Sequence, residues 1–125
     1  MQTYRLVPHP STPPLEVSEM SVTMMRLMGG ELLLRYRMNQ SSKVVVPRGF
    51  SHRSQEDLWR RTCLELFLYD QNGRYREFNF APAGDWAAFQ FASYRKLIGD
   101  YVPEVAPKID FQRGPQMMTV TVRLP

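Results

Sequence analysis

The chain has 125 residues, 43% hydrophobic and 22% charged, which is the composition of one ordinary globular domain. Its 16 Lys+Arg against 12 Asp+Glu give a net charge of +4, spread singly or in pairs along the chain, which argues against a nucleic-acid partner. Cys63 is the only cysteine, so no intrachain disulfide forms, and no run approaches the roughly 18 apolar residues of a membrane span. The start, MQTYRLVPHPSTPP, lacks the pattern of a signal peptide, so the expectation is a cytoplasmic protein with no membrane partner. Ten Pro and seven Gly punctuate the chain, a spacing that suits many short strands better than a few long helices.

Residues 3–7 read as an edge strand followed by a connector holding Pro8, Pro10, Pro13 and Pro14, since proline cannot donate to a ladder. Residues 15–27 read as a strand ending in a two-residue Gly29-Gly30 hairpin, and residues 31–38 as its return. In that return Leu32, Leu34 and Tyr36 alternate with Leu33, Arg35 and Arg37, giving one apolar face and one mixed face. An amphipathic helix competes for residues 17–28, but the β-branched residues and the Gly-Gly pair weigh against it. Residues 39–42 form a polar turn, and residues 43–46 a short β-branched strand stopped by Pro47. Residues 48–57 (RGFSHRSQED) are polar and aperiodic, a loop of the length that often carries function, with Ser54 able to cap a single helical turn.

The centre of the chain is residues 58–95, where three apolar, aromatic-rich runs are joined by two turn signals, Asn72-Gly73 and Pro82-Ala83-Gly84. They predict a three-stranded antiparallel meander. A two-residue Asn72-Gly73 loop pairs Phe67 with Phe78 and Glu65 with Phe80, and a second loop over residues 81–84 pairs Phe80 with Asp85, a shift of one residue there putting the third strand on the other face. Phe67, Phe78, Phe80, Phe89 and Phe91 then form one aromatic layer around Glu65, while Leu64, Leu66, Leu68, Glu77, Asn79, Trp86 and Gln90 take the other face.

Residues 96–107 read as loop, 109–111 as a short strand, Arg113-Gly114-Pro115 as a turn, and 116–124 as a strand in which Met118, Val120 and Val122 alternate with Met117, Thr119 and Thr121. The sum is an all-β protein, an antiparallel β-sandwich of eight or nine strands, with residues 1–125 as a single domain. Because Pro125 follows directly on a strand, that strand is expected to leave a sheet edge open, covered either by missing strands of a longer domain or by another copy.

A carboxylate flanked by apolar strand residues needs a partner, because burying a lone charge costs several kcal/mol. Two readings fit Glu65: a structural ion pair with Arg95 or Arg76, or a ligand-binding carboxylate at the rim of the sheet. Glu77 and Asn79 divide in the same way between bonding to loops and contacting a ligand. Trp59 and Trp86 are either core residues or flat platforms that stack on a ring while polar neighbours fix its orientation. Catalysis finds little support: His9 and His52 lie in unrelated loops, no metal-ligand spacing or phosphate loop is present, and Cys63 on an apolar strand reads as an inert thiol.

The run LWRRTCLELFLY, followed by YREFNFAPAGDWAAFQF and SYR, resembles bacterial DOMON-like proteins related to the family 9 carbohydrate-binding modules, most specifically over residues 31–95. That resemblance implies a β-sandwich in a superfamily whose members bind sugars or haem, and a chain lacking the family's last strands. Family 9 modules have a Trp six positions before a strand Glu, matched here by Trp59 and Glu65, where the Trp stacks on a terminal sugar and the Glu bonds its hydroxyls. The expected function is a non-catalytic binding module for a carbohydrate or similar small polar ligand, using Trp59, Glu65, Glu77, Asn79, Trp86 and Arg95, without metal or cofactor. The alternative is a structural or interaction domain whose open edge pairs with a partner or a second copy, and haem binding is the third reading.

Overall fold

Nine β-strands and no helix make up the described residues, which are 1–14, 16–46 and 62–125 of a computed structural model. The strands are β1 (Gln2–Arg5), β2 (Glu19–Arg26), β3 (Leu32–Asn39), β4 (Leu64–Tyr69), β5 (Tyr75–Phe80), β6 (Trp86–Ser93), β7 (Lys96–Asp100), β8 (Lys108–Arg113) and β9 (Met117–Leu124). They form two antiparallel sheets, ordered β1-β2-β3-β9-β8 and β4-β5-β6-β7. Each sheet belongs to its own compact unit, the first made of Met1–Val46 with Pro107–Pro125 and the second of Pro47–Ala106. Among the described residues no helix is long and apolar enough to cross a membrane.

The five-stranded sheet follows its hydrophobic alternation closely. Leu34, Tyr36 and Met38 of β3 and Met118, Val120, Val122 and Leu124 of β9 are buried on one face. Register pairs Leu34 with Val122, Tyr36 with Val120 and Met38 with Met118, so the apolar residues meet in rows, each buried side chain contributing roughly 1.5–3 kcal/mol. The helix that competed for residues 17–28 is not formed: Glu19–Arg26 is strand, because the same rows continue through Val22 opposite Tyr36. β9 lies between β3 and β8, paired on both sides. The sheet edge expected at that strand is therefore absent, and β1 and β8 are the edges instead.

Residues 43–46 do not form a strand. The Arg113 guanidinium takes the backbone carbonyls that a ladder would use, donating from Nη2 to the oxygens of Ser41 (2.8 Å), Ser42 (3.1 Å) and Val44 (2.8 Å). The segment is held as a turn closed by Val44 N–H on Ser41 O. Charge-assisted bonds are about twice as strong as neutral ones, and half-buried carbonyls lose more when stripped of them. Arg113→Ala is expected to lower unfolding free energy by about 2 kcal/mol in urea titration, and Arg113→Lys to recover less than half of it. A loss under about 0.5 kcal/mol would show that the clamp is ornamental.

Three hairpins close one residue later than expected. In each, three residues lie between the closing pair and the third is glycine with positive φ: Gly30 (88°), Gly73 (81°) and Gly84 (116°). The closing bonds run between Leu27 and Glu31, Asp70 and Arg74, and Ala81 and Asp85. A type I′ turn would need positive φ at Asn72 as well, and Asn72 does not have it. The cause at the central loop is Asp70, whose carboxylate accepts from the N–H groups of Asn72 (2.8 Å) and Arg74 (3.0 Å) and so captures the longer turn.

The extra residue shifts the meander by one. Phe67 faces Glu77, Glu65 faces Asn79, and Phe80 faces both Leu64 and Trp86. The single aromatic layer expected around Glu65 is consequently split. Phe67, Tyr69, Tyr75, Phe89 and Phe91 share the face of Glu65, Glu77 and Asn79, whereas Phe78 and Phe80 join Leu64 and Trp86 on the other. The stretch 96–107, expected as loop, contains β7. A Tyr94-Arg95 turn makes this possible, with Arg95 in the left-handed region (φ 60°) and its N–H donated to Tyr75 Oη at 3.2 Å. No glycine marks that turn, which is why it does not show in the sequence.

Candidate functional site

The face of the four-stranded sheet that carries Glu65 is ordered in rows. Glu65, Asn79 and Ala87 form one row; Phe67, Glu77 and Phe89 the next; Tyr69, Tyr75 and Phe91 the last. Directly opposed residues have Cβ atoms about 4.5–5.5 Å apart, and diagonal ones lie within reach of long side chains. Cys63 and Phe89 pack against the small side chains of Ala81 and Ala87 at the polar end. The face thus runs from carboxylates and an amide to a cluster of rings.

At the polar end Phe78, Asn79 and Phe80 are consecutive and all buried, so both faces of the sheet are covered there. Asn79 is 1% exposed, and its Oδ1 has no hydrogen-bond partner among the described residues. An unpaired buried amide oxygen costs about 1–3 kcal/mol. Glu65, opposite it, is exposed and Glu77 half-buried. Glu65 is thus not the buried carboxylate that its apolar neighbours suggested. Burial first, and then the neighbouring Glu65 charge, hold the Glu77 carboxyl above the usual carboxylate range.

The same charges act on Cys63. Burial, followed by Glu65 and Glu77, pushes its thiol up from an ordinary 9.0 to about 11. Only the thiolate attacks, so this cysteine carries no nucleophilic chemistry near neutral pH. Iodoacetamide labelling at pH 7.5 is expected to run about 100-fold slower than for a free cysteine, and to quicken several-fold in Glu65→Gln/Glu77→Gln. Labelling at the rate of free cysteine would contradict this environment.

At the ring end Tyr75 stacks on Phe91 with centroids 4.7 Å apart and planes 8° apart, and meets Tyr69 at 4.7 Å and Phe67 at 6.1 Å. A cleft of ≈ 430 Å³ opens beside these rings, with Asp70, Arg74 and Arg76 among its polar lining. Sequence reasoning missed this cluster. Its signal was the Phe67-x-Tyr69 alternation, which becomes legible only once Tyr75 is known to face Tyr69.

Of the six residues expected to bind a ligand, three come together: Glu65, Glu77 and Asn79. Trp86 lies on the opposite face in the row of Leu64 and Phe80 and is buried. Arg95 donates its N–H to Tyr75 Oη, Tyr75 itself being four residues along β5 from Asn79, or about 13 Å, and the Arg95 guanidinium lies 5.1 Å from the Tyr94 ring centroid. Arg76 is on the face opposite Glu65 and lies 4.0 Å from the Tyr101 ring centroid. Trp59, His52 and the loop 48–57 fall outside the described residues. Among the described residues no three His, Cys, Asp or Glu side chains could hold a metal ion. His9 bonds the Ser11 hydroxyl at 2.7 Å in the exposed Pro-rich segment, a contact local to the turn.

No family model matches the chain, and no curated protein matches it either. A solved structure does: a putative carbohydrate-binding protein from Bacteroides uniformis, at a TM-score of 0.69 and 19% identity, aligned over 99% of this chain and 60% of that one. The two share a fold. The present chain is an all-β protein of the β-sandwich-like kind, with nine strands in two antiparallel sheets, and it spans 60% of the length of its structural neighbour.

Proposed function

We propose that the face bearing Glu65, Glu77 and Asn79 is a non-catalytic binding site for a carbohydrate or similar small polar ligand. The module would be DOMON-like, related to the family 9 carbohydrate-binding modules, and would comprise residues 1–125. The observation that carries the reading is the Asn79 amide oxygen, buried without a hydrogen-bond partner among the described residues, in the same row as an exposed carboxylate. Buried polar groups are nearly always satisfied, and an orphan calls for an explanation such as a ligand or a water. Sugars present vicinal hydroxyls that donate to carboxylate and amide oxygens and an apolar face that stacks on rings; Phe67 and Phe89 occupy the adjoining row. Trp59, six positions before Glu65, is the stacking residue that the family resemblance implies. The shared fold with a protein of carbohydrate-binding description supports the same reading.

Intrinsic fluorescence tests it. In Trp86→Phe, Trp59 is the sole tryptophan, and a panel of mono- and oligosaccharides is expected to shift its emission. Trp59→Ala and Glu65→Gln, followed by calorimetry, are expected to weaken binding at least tenfold. Silence across the panel would sink the proposal.

A second reading rests on the sheet edges. β4 and β7 are the edges of the four-stranded sheet, and Phe67, Leu68, Leu97 and Ile98 on them are exposed. Exposed apolar edge strands are templates for pairing with another chain. Ile98→Lys is then expected to convert a self-associating protein to monomer in analytical ultracentrifugation, and a wild-type monomer at millimolar concentration would end this reading.

A further inference from the structure

The exposed face of the five-stranded sheet gathers positive charge from distant parts of the sequence. Strand register defines three adjacent rows across it. Arg5, Ser21, Arg37, Thr119 and Gln112 make the first; Thr3, Thr23, Arg35, Thr121 and Asp110 the second; Met25, Leu33, Arg123 and Lys108 the third. Five cations thus share a face with one carboxylate, Asp110, while Glu19 and Glu31 follow only on the rows beyond. All five cations are exposed, and none forms an ion pair among the described residues. A shallow groove of ≈ 790 Å³ runs over the β3, β9 and β8 part of this face.

Like charges held within about 7–10 Å of one another oppose folding unless a counter-charge offsets them. On these three rows Asp110 alone supplies counter-charge, one carboxylate against five cations. The cations are mostly arginine, whose planar fork matches a carboxylate or sulfate bidentately. Between them stand Thr and Ser hydroxyls, able both to donate and to accept. By register no aromatic side chain belongs to these rows, and Phe111 on the edge strand β8 is the one ring lining the groove among the described residues, so a single-stranded nucleic acid would lack the series of rings on which successive bases stack. The geometry points to an acidic polysaccharide as the partner of this face, its carboxylates or sulfates meeting the arginines and its hydroxyls meeting Thr23, Thr119 and Thr121. The site lies on the other sheet from Glu65 and does not depend on the ligand proposed there.

The test uses the full chain on immobilised polygalacturonate and heparin, with dextran and a random-sequence DNA duplex as comparators. Retention on the acidic polymers at 50 mM salt is expected, weakening at least tenfold by 200 mM, with none on dextran. Arg35→Ser/Arg37→Ser/Arg123→Ser should lower affinity at least tenfold, whereas Lys96→Ser should leave it unchanged. Circular dichroism checks that the triple variant folds; should it not, Arg37→Ser alone is expected to lose about threefold. Absence of retention, equal binding by the variant, or tighter binding of DNA than of either polysaccharide would overturn the proposal. Glu65→Gln should not alter this retention, which separates failure here from failure at the meander site.

Discussion

Asn79→Leu is expected to stabilise the protein by about 1–3 kcal/mol in urea unfolding while abolishing ligand binding on the meander face. Leucine is close to asparagine in shape and removes the buried oxygen that lacks a partner among the described residues, so the desolvation penalty disappears. Opposed effects on stability and binding are the signature of a residue kept for its ligand. The measurement pairs denaturant midpoints with calorimetric titration. A variant less stable than wild type would mean that Asn79 is a structural group whose partner matters to the fold, and the binding proposal would lose its main support.

The second large effect separates two registers. Phe80→Ala is expected to cost about 3–5 kcal/mol, because Phe80 is fully buried between Leu64 and Trp86, whereas Phe67→Ala should cost under about 1 kcal/mol, because Phe67 is 42% exposed. If the Asn72-Gly73 loop held two residues, both rings would lie in one layer and the two substitutions would cost alike. A loss of 3–5 kcal/mol is a large part of the total stability of a small domain, so Phe80→Ala is best measured at low temperature by chemical unfolding. Equal costs would refute the three-residue loop at Asn72-Gly73.

Strand existence was legible from alternation where one face is buried, as in Leu32 to Arg37 and Met117 to Val122. The turns were legible too, since Gly30, Gly73 and Gly84 announce positive φ. Loop length was not. A single side chain, Asp70, selects three residues over two at the central hairpin, and that choice moves every residue of β5 to the opposite face relative to β4. The error reached the site directly, grouping Trp86 with Asn79 and parting Glu65 from it. β7 escaped notice because Leu97 and Ile98 are exposed on an edge strand and its entry turn is made by Arg95. The basic face could not be read at all, because nothing local says that residue 37 lies beside residue 119. Dispersed arginines look solvated until β3 and β9 are paired.

That pairing also sets an order of events. The hairpins β2–β3, β4–β5 and β5–β6 join neighbours in sequence and close on the microsecond scale. β3 finds β9 only across a long intervening segment, since Leu32 pairs with Leu124 and Asn39 with Met117. Non-local contacts of this kind come late and slowly. During synthesis β3 therefore waits with one ladder of N–H and C=O groups unclaimed, its own first three residues being leucines, until β9 has left the ribosome. Arg35 and Arg37 interrupt that waiting edge with charge, guarding the nascent chain against pairing with its neighbours.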